Sequence, residues 1–217
     1  TVANARAQAD ALQARIRPHF LFNSMNLIAS LVRRDPEVAE RAVLDLSDLF
    51  RAALGAGEGD STLQAECELA EAYLSIESLR LGERLQVEWQ REDGLPWTLP
   101  MPRLVLQPLV ENAVRHGIGQ RVGSDVIEIE TRRDGDVLCI EVRNRNSSLD
   151  ATPGTPAGHG IGMSNTRLRL KELYGDAADV RLDMIWPEGV ACRVRLPFHM
   201  LELEDDPPEF TIGAAPA

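Results

Sequence analysis

His19 stands directly after Pro18 and one helical turn before Asn23, in the run Arg17-Pro18-His19-Phe20-Leu21-Phe22-Asn23. An imidazole is a competent nucleophile near neutral pH, because its ordinary pKa is about 6.5. A carboxamide four residues on can lie beside the ring, and a proline just before it must bend or locally open a helix. Taken alone, a histidine bordering an apolar helical stripe is more often a packed core residue than a nucleophile.

Two further stretches carry residues with chemical use. Gln107-Pro108-Leu109-Val110-Glu111-Asn112-Ala113-Val114-Arg115-His116-Gly117 sets a carboxylate, a carboxamide and two potential cations on consecutive turns of one helix. Such a helix can offer oxygen to a magnesium ion and positive charge to phosphates, and by spacing alone it is equally a solvated polar face. Gly158-His159-Gly160-Ile161-Gly162-Met163-Ser164-Asn165-Thr166-Arg167 runs three alternate glycines into a helix start. Glycines let the backbone approach an anion, which the free amides of the first turn can bind, although an ordinary flexible loop reads the same way. A Walker-type phosphate loop is absent from the sequence, so any nucleotide must be held another way.

These residues need elements to position them. Leu12, Ile16, Phe20, Leu27 and Leu31 form one helical stripe, and Leu21, Met25, Ile28 and Val32 a second. Residues 1 to about 33 therefore predict one long helix, broken or kinked at Pro18 and apolar on two sides. Asp35-Pro36 marks the start of a second helix over 36–54, with Val38, Ala42, Leu46, Leu49 and Ala53 on one face. So short a turn predicts an antiparallel hairpin, which cannot cover its own apolar surface. Two hairpins from two chains make a four-helix bundle, so a homodimer is expected.

Gly55 to Asp60 is a flexible break, after which Ser61 or Thr62 can cap a third helix running to about Leu81 and ended by Gly82. Strands are expected over 85–89, 126–131, 137–142, 180–185 and 190–196, with helices over 103–116 and about 162–173. Asp134-Gly135 and Glu188-Gly189 mark hairpins. The fold class is α+β: an N-terminal helical hairpin, then an α/β sandwich whose helices cover one face of a mixed sheet. The domain limits read as 1–57, 58–200, and an acidic, proline-bearing, disordered tail over 201–217.

The net charge of −11 over 217 residues argues against nucleic acid or an anionic membrane as the main partner. Cys67, Cys139 and Cys192 are widely separated and lack metal-ligand spacing, which predicts reduced, buried thiols. No apolar run approaches bilayer length, and no signal-peptide pattern occurs. Helical character begins at Thr1, as in a fragment whose first helix continued upstream.

The order Pro-His-Phe-Leu-Phe-Asn resembles the phospho-acceptor box of the sensor histidine kinases related to the autolysin and alginate regulators. Gln107 to Gly117 is similar to the N box of the histidine-kinase and gyrase-type ATP-binding fold. That resemblance makes Asn112 the magnesium ligand and Arg115 the basic residue on the nucleotide phosphates, with His116 a second candidate. Gly-Ile-Gly-Met-x-Asn-x-Arg-x-Arg-Leu matches the family's glycine-rich box. Gly158, Gly160 and Gly162 take its glycine positions, Asn165 and Arg167 its polar ones, and Ser147 to Ala157 the lid over the nucleotide. One element departs: the family's Asp-x-Gly-x-Gly, whose aspartate accepts a bond from the adenine amino group, reads here Arg143-Asn144-Arg145-Asn146. Asn144 can still accept that bond, but without charge assistance.

The resemblance spans roughly residues 12 to 197. It implies transfer of the γ-phosphoryl group of ATP, with Mg2+, to His19, and then to an aspartate of a response-regulator protein. Asn23 becomes a candidate for holding a phosphate or a hydrolytic water. In related ATP-hydrolysing enzymes the water-activating glutamate stands four residues before the asparagine, where this chain has Pro108, which favours transfer over hydrolysis. Glu111 then either shapes the metal shell or accepts a proton from the imidazole. The resemblance also implies the cytoplasmic portion of an inner-membrane sensor, with the membrane or sensor region missing upstream. A catalytically impaired nucleotide-binding scaffold and a regulator phosphatase are the alternatives.

Overall fold

A computed structural model describes residues 18–54, 61–118, 123–145, 161–184 and 189–198. The upstream part of the first helix, the 55–60 break, the 147–157 lid, Gly158, Gly160 and the 201–217 tail lie outside the described residues, as do the side chains of His116 and Asn165. Helix α1 (Pro18–Leu31) opens on the proline itself, whose missing N–H costs nothing in a first turn. Asp35 accepts the N–H of Val38 at 3.2 Å and starts α2 (Pro36–Leu54). The two form the expected hairpin, but it does not stand apart. Leu46 and Leu49 are buried, and Phe20, Leu21, Ile28 and Phe50 pack, in one core shared with α3 (Leu63–Leu81). Only part of the double apolar surface is thereby covered: Phe22, Met25, Val32, Val43 and Leu44 stay exposed.

Thr62 caps α3 by accepting the N–H of Ala65 at 3.1 Å, and Gly82, at φ 59°, ends it. Leu63, Cys67, Leu69, Ala70, Tyr73, Leu74 and Ile76 bury most of the circumference of this helix and leave one narrow face, with Gln64, Glu68, Ser75 and Leu79, exposed. Five strands form the sheet: β2 (Leu85–Arg91), β4 (Asp125–Asp134), β5 (Val137–Asn144), β6 (Asp179–Met184) and β7 (Val190–Pro197), in the order β2-β4-β5-β7-β6. β2 and β4 are parallel, joined through helix α4 (Leu106–His116), and every other pairing is antiparallel. Helix α5 (Ile161–Tyr174) packs beside α4. Ile127, Ile129, Leu138, Ile140, Val194 and Leu196 meet Leu106, Leu109, Val110 and Leu170 in the core between sheet and helices.

The other face of the sheet is charged and paired. Glu128 stands opposite Arg143, and Glu141 opposite Arg193. Arg143 bridges Glu130 at 2.8 Å and Glu141, while Arg145 reaches Glu88 at 3.0 Å and Glu128. Burial alone would push the Glu141 carboxyl up, but the guanidinium groups of Arg193 and Arg143 outweigh it and hold it below the ordinary carboxylate value. The cysteines are free and buried, and burial pushes the Cys67 and Cys192 thiols up to about 12. Among the described residues no helix is long and apolar enough to cross a membrane.

Two features differ from the sequence expectation. Ser61–Thr62 forms β1, pairing antiparallel with β3 (Pro100–Met101), so the proline-interrupted stretch straps the start of α3. Helix α4 begins at Leu106 and not at Arg103, because Leu104 takes a left-handed conformation (φ 56°) that ends any helical run. That conformation is held from outside. The buried carboxylate of Glu66, on α3, accepts the N–H groups of Leu104 at 2.9 Å, Val105 at 2.7 Å and Leu106 at 3.1 Å. These are the orphan donors of a helix N-terminus, where negative charge is also favoured.

Glu66→Ala is expected to lower stability by about 3 kcal/mol, the cost of stranding buried donors, read by urea unfolding. Burial lifts the Glu66 pKa above the ordinary value despite the backbone N–H groups. Its contribution is thus complete below the ordinary carboxyl range and falls away as pH rises through the raised value. The variant should therefore lose less in mildly alkaline than in mildly acidic buffer, and an equal loss in both would contradict the assignment.

Candidate active site

His19 is exposed at the second position of α1, and its neighbour Phe20 turns inward to stack on Tyr73 of α3, ring centroids 5.1 Å apart. The Asn23 carboxamide nitrogen lies 3.2 Å from His19 Nδ1 and 3.5 Å from Nε2. An amide N–H can only donate, so in this contact Asn23 is suited to hold a ring nitrogen that acts as acceptor. Asn23 is the hydrogen-bond partner of this ring among the described residues. Ser24 donates to the Phe20 carbonyl at 2.8 Å, tightening the same turn.

The second group of candidates is on α4. Leu106, Leu109, Val110, Ala113 and Val114 are buried on one side, which leaves Gln107, Pro108, Glu111, Asn112 and Arg115 half-buried on the other. The (i, i+4) spacing of Gln107, Glu111 and Arg115, and of Pro108 and Asn112, makes that face continuous. Carboxylate and carboxamide oxygens here are hard donors of the kind magnesium takes, and Arg115 is a cation suited to phosphate.

The C-terminal end of α4 is tied to the sheet. Asn144, the last residue of β5, donates through Nδ2 to the Ala113 carbonyl at 3.0 Å and to Asp125 Oδ2 at 3.1 Å. Gly117 follows at van der Waals distance. A Cβ there would overlap Asn144 Nδ2 and come within 2.7 Å of the Ala113 oxygen and 2.9 Å of Asp125 Oδ2. Of the glycine-rich stretch, Gly162 lies in the first turn of α5, beside α4. Arg167 is placed differently from the rest: its guanidinium donates to the Val180 carbonyl, 3.1 Å from Nε and 2.8 Å from Nη2, and ties α5 to β6.

The structure thus gathers Glu111, Asn112 and Arg115 on one helix face, with Asn144 under the end of that helix. His19 lies elsewhere, on the hairpin packed against α3. Sequence reasoning missed Glu66 and Asp125. Glu66 was detectable, since it occupies the buried stripe of α3 with Leu63 and Ala70, a place for an apolar residue. Asp125 carried no signal beyond standing just before a strand.

The chain belongs to the histidine kinase family, whose description it matches over residues 7–85. It is 32% identical over 206 residues to the sensor protein LytS of Staphylococcus haemolyticus (strain JCSC1435), covering 90% of this chain and 35% of that protein. With the sensor histidine kinase BtsS of Escherichia coli (strain K12) the identity is 38% over 174 residues, covering 79% of this chain and 30% of that protein. The chain spans about a third of the length of the curated relatives it matches. Among solved structures, the histidine kinase domain from the Erythrobacter litoralis EL346 blue-light activated histidine kinase aligns with a TM-score of 0.48 at 18% identity, over 93% of this chain and 98% of that one.

Gly117→Ala is expected to destabilise the chain by about 2 kcal/mol, because the surrounding backbone and paired side chains have nowhere to move. Urea unfolding checks it, and an unchanged midpoint would show that the end of α4 is not held as described.

Proposed function

We propose that this chain is the catalytic core of a sensor histidine kinase of a two-component system. His19 takes the γ-phosphoryl group of ATP and passes it to an aspartate of a response-regulator protein. The observation that carries this reading is the exposed imidazole of His19, beside Asn23 within the Pro-His-Phe-Leu-Phe-Asn sequence. In the reaction a ring nitrogen forms a bond to the γ-phosphorus as the bond from that phosphorus to the ADP oxygen breaks, and the ring gives up its proton.

The nucleotide reading rests on the polar face of α4. Asn112 would hold Mg2+, which when bound neutralises charge on the phosphates. Arg115, with His116 beside it, would hold the phosphates, together with the amides of the glycine stretch Gly158, Gly160 and Gly162. Asn165 and Arg167 lie on the helix that follows, where the Arg167 bonds to Val180 suggest support of α5 in preference to direct phosphate contact. Glu111 is the candidate for receiving the imidazole proton. Asn144 would accept the bond from the adenine amino group.

Residues 1–57 then form the acceptor and dimerisation unit, 58–200 the nucleotide-binding unit and 201–217 a tail. The exposed Phe22, Met25, Val43 and Leu44 support a second copy of the hairpin closing a four-helix bundle. The length of the relatives supports a longer natural protein, a membrane-anchored sensor whose kinase core faces the cytoplasm. A second reading, a nucleotide-binding scaffold or a regulator phosphatase using Asn23, is favoured by Asn144 standing in place of an aspartate.

Incubation with γ-labelled ATP and magnesium tests these readings. The kinase reading expects acid-labile label on the protein, absent from His19→Gln. Free phosphate without labelled protein, or label that survives that substitution, would sink it.

A further inference from the structure

Among the described residues, the carboxamide of Asn144 is oriented through its nitrogen. Both of its N–H groups are spent, one on the Ala113 carbonyl and one on Asp125 Oδ2, so any further bond made by this side chain is accepted at its oxygen. Asp125 is 3% exposed and Asn144 4%. The other Asp125 oxygen takes the N–H of Val126 at 2.8 Å, which fixes the carboxylate against the start of β4. Ile127 is the partner of Asn144 across the β4–β5 ladder, so Asp125 lies two residues further along the neighbouring strand. The ladder itself therefore delivers a carboxylate to the side of position 144. Deep burial of a carboxylate is costly unless its hydrogen bonds are made, and here one of them goes to the Asn144 amide.

We propose that Asp125 is a specificity-determining positioning residue for the adenine base, acting through Asn144. The inference rests on the nucleotide reading given above. A carboxylate that accepts an amide N–H polarises that amide, and hydrogen bonds in series strengthen one another. The oxygen of a neutral asparagine thereby regains, from the adjacent strand, part of the charge assistance that an aspartate at 144 would supply by itself. A purine with an amino group at position 6 donates to that oxygen. A 6-oxo purine presents a lone pair to it and is rejected.

The test uses the full chain and calorimetric titration with ATP, GTP and purine riboside 5′-triphosphate, which lacks the 6-amino group. Asp125→Asn removes the charge and keeps the shape. Asp125→Ser keeps an acceptor for Val126. The unaltered chain should prefer ATP to both other nucleotides. Both variants should lose roughly tenfold in ATP affinity, the scale of one charge-assisted bond, with affinity for purine riboside triphosphate unchanged. A purely structural role would weaken both nucleotides alike, since they share their phosphates, and that result overturns the proposal. So does unchanged ATP affinity in either folded variant, or loss of the fold in both by circular dichroism. If the unaltered chain binds ATP without preferring it to the analogue, the adenine contact at Asn144 fails and this inference with it. If it binds no ATP at all, the nucleotide reading itself has failed.

Discussion

Helix α4 is tied at its N-terminus to a buried carboxylate and at its C-terminus to a buried amide that a second carboxylate orients, and the placement of its polar face depends on those ties. At the N-terminus Glu66 of α3 gathers three backbone N–H groups around a left-handed Leu104. At the C-terminus Asn144 donates to the Ala113 carbonyl and to Asp125, which orients it, with Gly117 leaving the room they need. A helix of 11 residues has little stability of its own in water. Its rotation about its axis, and so the direction in which Glu111, Asn112 and Arg115 point, follows from these anchors together with the apolar side pressed on the sheet.

Helix α3 transmits the same order outward. It is buried around most of its circumference, with α4 and the sheet on one flank and the α1–α2 hairpin on another. The Phe20–Tyr73 contact belongs to this interface and lies one residue from the exposed imidazole. His19 thus faces solvent while the adjoining side chain is part of the core. Any movement of the hairpin relative to α3 must first undo that aromatic contact, which couples the freedom of the nucleophile to packing at its back.

The outer face of the sheet solves a different problem. It lacks a covering layer among the described residues, yet Glu141 is nearly inaccessible there. Alternation of side chains along the strands places carboxylates and guanidinium groups opposite one another, so each strand supplies counter-charges to the next. The compensation keeps Glu141 ionised in a place where burial alone would favour its neutral form.

Much was legible in residue order. Apolar periodicity marked both hairpin helices and α3, alternation marked the strands, and Asp35, Thr62 and Gly82 marked helix ends, because each of these signals acts between residues close in the chain. The neighbouring of His19 and Asn23 was equally local, a matter of one helical turn. What residue order left open depended on distant partners. The packing of the hairpin on α3, the late start of α4, the β1–β3 strap and the Asn144–Asp125 pair join residues 19 to about 50 positions apart. No spacing rule reaches so far, and only the closing of the sheet against its helices decided which buried side chain would meet which backbone end.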